Sequence, residues 1–538
     1  MTLRRAFEDR VERHPDRAAV RFGDTIQTFA ELDGAIDRAA RALSELGARP
    51  GARVALMLPN GPEMVWCWLA LAKLGATMVP INTRLKGDSL RYLVNHADLD
   101  LAVVGGDSLT AFAEALHTIQ RSSMGAGLVP ALREGRGQAP PLRAIRVGAA
   151  VDEETERWPD FATLLDAAPS GPPPGVPLPD DGLAAIMYTS GTTGRPKGVL
   201  LPRRAQFSEG LNYNELLGLA EGEWAYAYLP LFHVTAMGTV LGSLLAGASV
   251  AIDPGFSPFG FWERTRTYGA AAFTFVGSVL TLLYNRPPRP DDRDNPVRRA
   301  VGAATPLWMW EAFERRFGVE IVETYGQTEM FSIWFVNPPD ARKVGTVGTP
   351  AGDRFEASIA DPETGAPLPP ESRGEIAIRP RTPLIQATGY FKDPETTASA
   401  WRPDGWYYTG DLGTRDADGY YRYVGRLKDC IRRRGENIAA YEIEVVVNAH
   451  PKVLESAAVG VPSPLGEEEV KLCVIPRPQA TLDPGELLAY CRAELPAFMV
   501  PRYIQLRESL PKTATERVQK AALREEGTIG CWQPGRPL

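Results

Sequence analysis

The feature that most narrows the fold is a regular alternation between residues 28 and 104. There "TFAELDGAIDRAARALSELG" carries apolar residues at helical spacing, and "RVALMLP", "TMVPI" and "LDLAVVG" are short apolar runs separated by further helical stretches. Strands regularly interrupted by helices predict parallel α/β layers. The most apolar run, "MVWCWLALAKLGATMVPI" at 64–81, carries Lys73 and falls short of the roughly 20 residues a membrane span needs. It reads as a buried helix leading into a strand, with no integral membrane association. A Gly, Arg and Pro-rich stretch at 121–141 reads as a surface loop, and "GPPPGVPLPDDG" at 171–182 as a rigid exposed connector. The alternation then resumes, with strands expected at "LAAIMYT", "WAYAYLP", "ASVAID", "AAFTFVG" and "VEIVETYG".

From about 343 to 424 the texture changes to short strands bounded by turn residues, which predicts an antiparallel β subdomain. After "GRLKD" at 425–429 the pattern becomes α+β, with a helix near 441–449, strands at "SAAVGVP" and "VKLCVIP", a helix at 485–495 and a strand at "YIQLRES". A chain of 538 residues exceeds what one core usually organises. The expected division is 1–425, a large α/β domain of layered subdomains plus a distorted antiparallel β subdomain, and 426–538, a small α+β domain.

Charge and cysteine usage limit the chemistry. A net charge of -7 repels nucleic acid and anionic membranes at long range, which points to small-molecule substrates. The five cysteines (Cys67, Cys430, Cys473, Cys491 and Cys531) are scattered, without CxxC spacing, as suits a reducing cytoplasm. In "MTLRRAFEDRVERHPDRAAV" Glu8 and Asp9 interrupt the place where a signal peptide needs apolar residues, so an amphipathic helix is expected there and no secretion signal.

The sharpest local signal is "YTSGTTGRPKGV", Tyr188 to Val199, directly after an apolar strand. Gly191, Gly194 and Gly198 let the backbone turn tightly and present N–H groups. Thr189, Ser190, Thr192 and Thr193 add hydroxyl donors and Lys197 a cation, which together suit an oligophosphate. The spacing is not that of a Walker A loop. A second cluster, "TYGQTE", offers Tyr325, whose ring is suited to stacking on adenine, Gly326 and Thr328, and Glu329, a hard oxygen ligand suited to Mg2+ on ATP phosphates. Asp411 in "YYTGDLG" has the planar carboxylate that accepts from two ribose hydroxyls.

These stretches, with "PINTRL", "PLFHVTA" and "GRLKDCIRRRGENIAAYEIE", occur in the order seen in the adenylate-forming superfamily, which the chain resembles over nearly its whole length. The resemblance implies an AMP-forming acyl-CoA synthetase using ATP, Mg2+ and coenzyme A. A carboxylate attacks ATP to give acyl-AMP and pyrophosphate, and the thiol of CoA then displaces AMP. It implies a mobile small domain that rotates between the steps about Lys428, where a few dihedrals absorb the motion. It also places Gly302, Ala303 and Ala304 at the adenine and one wall of the acyl pocket. Arg426 joins Asp411, and His233 becomes a gate or pocket wall between acyl group and thiol. Arg434, Gly435 and Glu436 fall beside CoA, where Arg432 and Arg433 are further candidates for its phosphates.

One motif departs from the pattern. Near the C-terminus the superfamily reads Pro-(Arg/Lys)-Thr-x-x-Gly-Lys, and its lysine reaches into the site during adenylation; here "PKTATERVQK" places Glu516 and Arg517 at that Gly-Lys pair. Lysine is a compact point charge and arginine a larger planar fork, so charge survives while geometry changes. Adenylation is the step put in doubt, and thioesterification, which uses the other face of the small domain, is not. Lys512 and Lys520 match positions already basic in the superfamily and are not expected to compensate. The apolar and aromatic stretches "FTFVGSVL", "VGAATP" and "MFSIWFV" are the expected pocket walls and favour a hydrophobic or bulky acid over acetate. Three alternatives stay open: an enzyme that thioesterifies acyl-AMP from a partner ligase, one that loads a carrier protein, and a silent nucleotide-binding module.

Overall fold

The computed structural model describes residues 2–125, 142–173, 175–189, 195–433, 436–463, 467–512 and 518–534. Two large sheets form its framework. In the first, six strands run in the order Arg143–Val147, Leu101–Gly105, Arg53–Met57, Thr77–Pro80, Leu183–Thr189 and Lys197–Pro202. All neighbours are parallel except the last pair. That antiparallel pair departs from the parallel layering expected from the sequence, and its cause is length: the few residues between Thr189 and Lys197 are too short for a crossover.

The second sheet has nine strands, in the order Thr349–Pro350, Ser332–Val336, Glu320–Gln327, Arg299–Ala303, Ala270–Val276, Trp224–Ala227, Ser249–Ile252, Ala18–Phe22 and Thr25–Thr28. Its interior is parallel and its edges antiparallel. The helices Phe29–Glu45, Pro62–Leu74, Arg203–Leu217 and Val234–Ala246 lie between the sheets, where one apolar core joins Ile36, Trp68 and Leu241 to strand residues of both. Helix Phe29–Glu45 begins with a reciprocal capping box between Thr28 and Glu31, which satisfies two otherwise orphaned backbone donors. Helix Val234–Ala246 is apolar on nearly every side, as burial between two sheets requires, and ends on Gly247 at φ 70.

A four-stranded antiparallel sheet follows, built from Phe355–Ala360, Arg373–Pro380, Tyr407–Arg415 and Tyr421–Arg426. The short 3-10 turn Leu427–Asp429 then leads into the small unit, which opens with the hairpin Cys430–Arg433 and Glu436–Ala439. Beyond it stand the three-stranded sheet Val453–Pro462, Glu468–Pro476 and Tyr503–Leu506, and helices Ala440–Asn448, Pro484–Glu494 and Lys520–Glu525. The fold is thus α/β, with a large N-terminal part and a smaller α+β C-terminal part. The expected loop at 121–141 is helical to Gly125, and its remainder lies outside the described residues. Among the described residues no helix is long and apolar enough to cross a membrane.

Candidate active site

A cavity of about 1260 Å³ opens between the large and small parts. Its wall on the large side includes Thr189, His233, Ala303, Ala304, Tyr325, Gly326, Asp411 and Arg426. The sequence reading singled out all eight.

Asp411 organises the centre. It is almost fully buried, and its Oδ2 accepts hydrogen bonds from the Tyr325 hydroxyl at 2.7 Å and from Gln327 Nε2 at 2.6 Å. Arg426 Nε lies 3.0 Å from the other oxygen, because Asp411 and Arg426 are register partners on adjacent antiparallel strands. Burial works against the Arg426 charge, and the Asp411 carboxylate beside it more than restores it, holding the guanidinium above its ordinary value. The Tyr325 ring is buried edge-on against Phe335. Burial, with Asp411 beside it, raises the phenol well above its usual value, so it remains a hydrogen-bond donor.

Glu323, two residues before Tyr325, was not among the predicted site residues. Its carboxylate accepts from the backbone N–H of Ala304 at 2.7 Å, from that of Thr305 at 3.2 Å, and from the Thr305 hydroxyl. It thereby pins Ala304 at φ 65, a left-handed conformation unusual for a residue with a side chain. Burial pushes the Glu323 carboxyl up to about 7 despite those three donors. The second acid of "VEIVETYG", directly after the apolar pair Ile321 and Val322, was the signal for it. Gly302 sits where a Cβ would come within 2.2 Å of the Phe275 carbonyl, so the two strands meet there only because the side chain is absent.

Other predicted residues lie beside the cavity rather than on its wall. Glu329, in the 3-10 turn Thr328–Met330, accepts from the Tyr390 hydroxyl at 3.0 Å. The Lys197 ammonium stands 5.0 Å from the centre of the same Tyr390 ring, so one tyrosine links the predicted cation to the predicted metal ligand. His233, which is on the wall, occupies the N-cap position of helix Val234–Ala246 and packs its ring 4.5 Å from that of Phe232. Ser190, Gly191, Thr192, Thr193 and Gly194 lie outside the described residues, as do Arg434, Gly435, Glu516 and Arg517.

The small part contributes Tyr441, Glu444, Lys512, Val518, Lys520 and Arg524 to the wall. Lys512 and Val518, which flank residues 513–517, both line the cavity and pair as an isolated antiparallel bridge. The cationic groups at the two ends are already engaged: Lys512 Nζ lies 2.9 Å from Glu455 and Lys520 Nζ 2.8 Å from Glu444. Burial raises the Glu444 carboxyl, and Lys520 opposes that effect. Arg524 reaches Asp429 at 3.0 Å and donates to the Lys428 carbonyl at 3.4 Å, tying the C-terminal helix to the turn that joins the two parts. Lys428 is exposed there, and partial desolvation, then Arg426, lowers its ammonium below the usual value.

Three expectations need correction. The guanidinium of Arg433 is not available to CoA phosphates: it is buried, 2.7 Å from Glu469, and donates to the carbonyls of Phe498 and Val500. Arginine's five donors make it the cation best able to satisfy such a set of internal acceptors. Nor do 273–280 and 330–336 supply described residues of the cavity wall. Phe273, Phe275, Val279 and Leu280 belong to one apolar core, and Met330, Trp334 and Phe335 to another. Of the three expected walls only the Ala303–Ala304 stretch is where the sequence placed it.

Comparison with known proteins agrees with this geometry. The AMP-binding enzyme model matches residues 7–391 and the AMP-binding enzyme C-terminal domain model residues 442–517. A sulfoacetate–CoA ligase of Cupriavidus necator is 34% identical over 500 residues, covering 92% of each chain. A crotonobetaine/carnitine–CoA ligase of Salmonella paratyphi B is 30% identical over 530 residues, covering 97% of this chain and 98% of the relative. Among solved structures, ATP-bound MatB from Rhodopseudomonas palustris superposes with a TM-score of 0.84 at 26% identity, covering 98% of this chain and 99% of that one. The apo form of MatB superposes with a TM-score of 0.72. The chain therefore belongs to the AMP-binding enzyme family, the adenylate-forming superfamily of AMP-dependent acid–CoA ligases.

Proposed function

We propose that this chain joins a carboxylic acid to coenzyme A through an acyl adenylate, and that adenylation is the handicapped half-reaction. The observation that carries the proposal is the shared cavity, where Asp411, Tyr325 and Arg426 face Lys512, Val518 and Lys520 from the small part. The closer match to the ATP-bound than to the apo form of MatB supports reading this arrangement as the adenylating one.

In that arrangement Asp411 holds the ribose, its remaining lone pairs being oriented by Tyr325, Gln327 and Arg426. Ala303 and Ala304, fixed by Glu323, form the adenine wall. Residues 189–194 and Lys197 bind the phosphates through backbone and hydroxyl donors. Mg2+ fits the donor set at Glu329, since this ion takes one or two carboxylates and completes its shell with phosphate oxygens and water. When bound it neutralises charge on the departing pyrophosphate. His233 stands where the acyl group meets the incoming thiol.

For adenylation the chain presents Arg517 where a compact ammonium is usual. Lys512 and Lys520 are each held by a carboxylate, so neither is a ready substitute. A positioning error of about 1 Å costs on the order of 10²-fold in rate. Rotation of the small part about Lys428, with the unit boundary between 425 and 426, would then carry 434–436 to the CoA path and leave thioesterification intact. These features also favour a second reading, in which a partner ligase supplies the adenylate. All five cysteines are free thiols, as a reducing cytoplasm would keep them.

The test supplies ATP, Mg2+ and CoA with a panel of acids, and separately CoA with synthetic acyl adenylates, with thioester formation followed by mass spectrometry. Product from the adenylates at higher rates than from the acids is expected. Failure of both routes across the panel would overturn the enzyme reading.

A further inference from the structure

We propose that the acyl group of the substrate is compact, because a buried Thr239–Thr274 hydroxyl pair closes the space behind His233 and Ala303. This inference rests on the proposed function and assigns it a substrate class.

The cavity reaches His233 at the start of one helix and Ala303 at the end of one strand. Beyond them it stops. Every residue from Ala236 to Leu245 of the helix is buried, and neither they nor the buried residues of strand Ala270–Val276 line the cavity. A long or polycyclic acid would have to part that helix from that strand.

A polar contact joins the two elements within a shared apolar core. Thr239 Oγ1 lies 2.7 Å from Thr274 Oγ1, with both side chains almost fully buried. Thr239 also donates to the Thr235 carbonyl at 2.9 Å, and the Tyr228 hydroxyl donates to the Thr274 carbonyl at 2.7 Å. Inserting an alkyl chain would strip buried hydroxyls of their partners and offer none in return, which is costly in an apolar interior. The helix has no room to retreat on its neighbouring face. Tyr213 fills a groove left by Gly238 and Gly242, where added Cβ atoms would stand 2.4 and 2.7 Å from it. The seam beside Ala303 is tight as well, since a Cβ on Gly277 would lie 2.0 Å from the Ala304 carbonyl oxygen.

The acid is therefore short-chain or otherwise compact, contrary to the bulky hydrophobic substrate suggested by the apolar stretches of the sequence. The test measures calorimetric binding of butanoyl- and dodecanoyl-sulfamoyl adenosine, which are stable adenylate mimics, to the full-length protein. The butanoyl mimic is expected to bind at least about tenfold more tightly, and the double variant Thr239→Ala, Thr274→Ala to narrow that ratio by a similar factor. Equal or tighter binding of the dodecanoyl mimic to the unmodified protein would overturn the inference while leaving the proposed function standing. Failure of both mimics to bind would overturn both. The comparison of chain lengths in the unmodified protein holds even if the double variant fails to fold.

Discussion

Arg426 and Asp411 face each other as register partners, with 3.0 Å between Nε and Oδ1, on the last two strands before the chain crosses into the small unit. The carboxylate at the centre of the cavity is thus braced by the residue that immediately precedes the turn Leu427–Asp429. The proposed nucleotide site and the exit strand share one ion pair. Removing either member leaves a largely desolvated charge without its partner.

Asp411→Asn is accordingly expected to weaken AMP binding by about tenfold or more and to lower thermal stability by an amount on the order of 3 kcal/mol. A fluorescence titration with AMP and a melting curve measure the two effects. Unchanged affinity would remove Asp411 from the nucleotide site.

Glu323 predicts a pH dependence of stability. Burial raises its carboxyl from the ordinary 4.5 to about 7, so between those values the folded chain binds more protons than the unfolded one. Its contribution is complete below pH 4.5 and is lost as pH rises through about 7. Relative to the Glu323→Gln variant, the unmodified protein should lose stability on the order of 3 kcal/mol across that window. Parallel melting curves at the two ends of the range would reveal it, and an identical slope in both proteins would show that Glu323 does not titrate there.

The pair of Lys520 and Glu444, 2.8 Å apart on the cavity wall, predicts strong coupling. Lys520→Met leaves a largely buried carboxylate with the Ala458 N–H as its remaining described partner, and should cost on the order of 3 kcal/mol. Adding Glu444→Gln should restore most of that loss. Chemical denaturation of the two single variants and the double variant forms the cycle, and additive losses would deny the coupling.

Lys428 lies in the turn between the two parts, and its carbonyl accepts from Arg524. Proline at this position fixes φ near -65° and restricts the preceding residue. Lys428→Pro is expected to slow multiple-turnover synthesis by about tenfold more than it slows single-turnover use of supplied acyl adenylate. Equal effects on the two assays would move the pivot elsewhere.

The sequence made the polar centre of the site legible because its residues sit in loops and strand ends whose composition has no other use. The polar residues of "TYGQTE" and "YYTGDLG" are expensive in a core and cheap at a cavity wall, where Tyr325, Gly326, Gln327 and Asp411 stand. The acyl region was illegible for the opposite reason. Phe273, Phe275, Trp334 and Phe335 are as apolar as pocket walls, and nothing in their spacing says that they face other core residues. Arg433 was misread by the same logic, since three consecutive arginines look like a solvated face while this one turns inward to Glu469. Glu323 was passed over because its strand reads as apolar, although the acid there is what shapes the Ala304 turn. The hairpin Cys430–Ala439 went unnoticed because its turn lies in that same charged run.

Pyrophosphate exchange into ATP isolates the half-reaction in which Arg517 is proposed to act. With a compact acid that supports thioester formation, Arg517→Lys should raise exchange by about tenfold or more, while the rate from supplied acyl adenylate and CoA stays within about twofold. Exchange that is unchanged or lower in the lysine variant would contradict the assignment of Glu516-Arg517 as the lesion in adenylation.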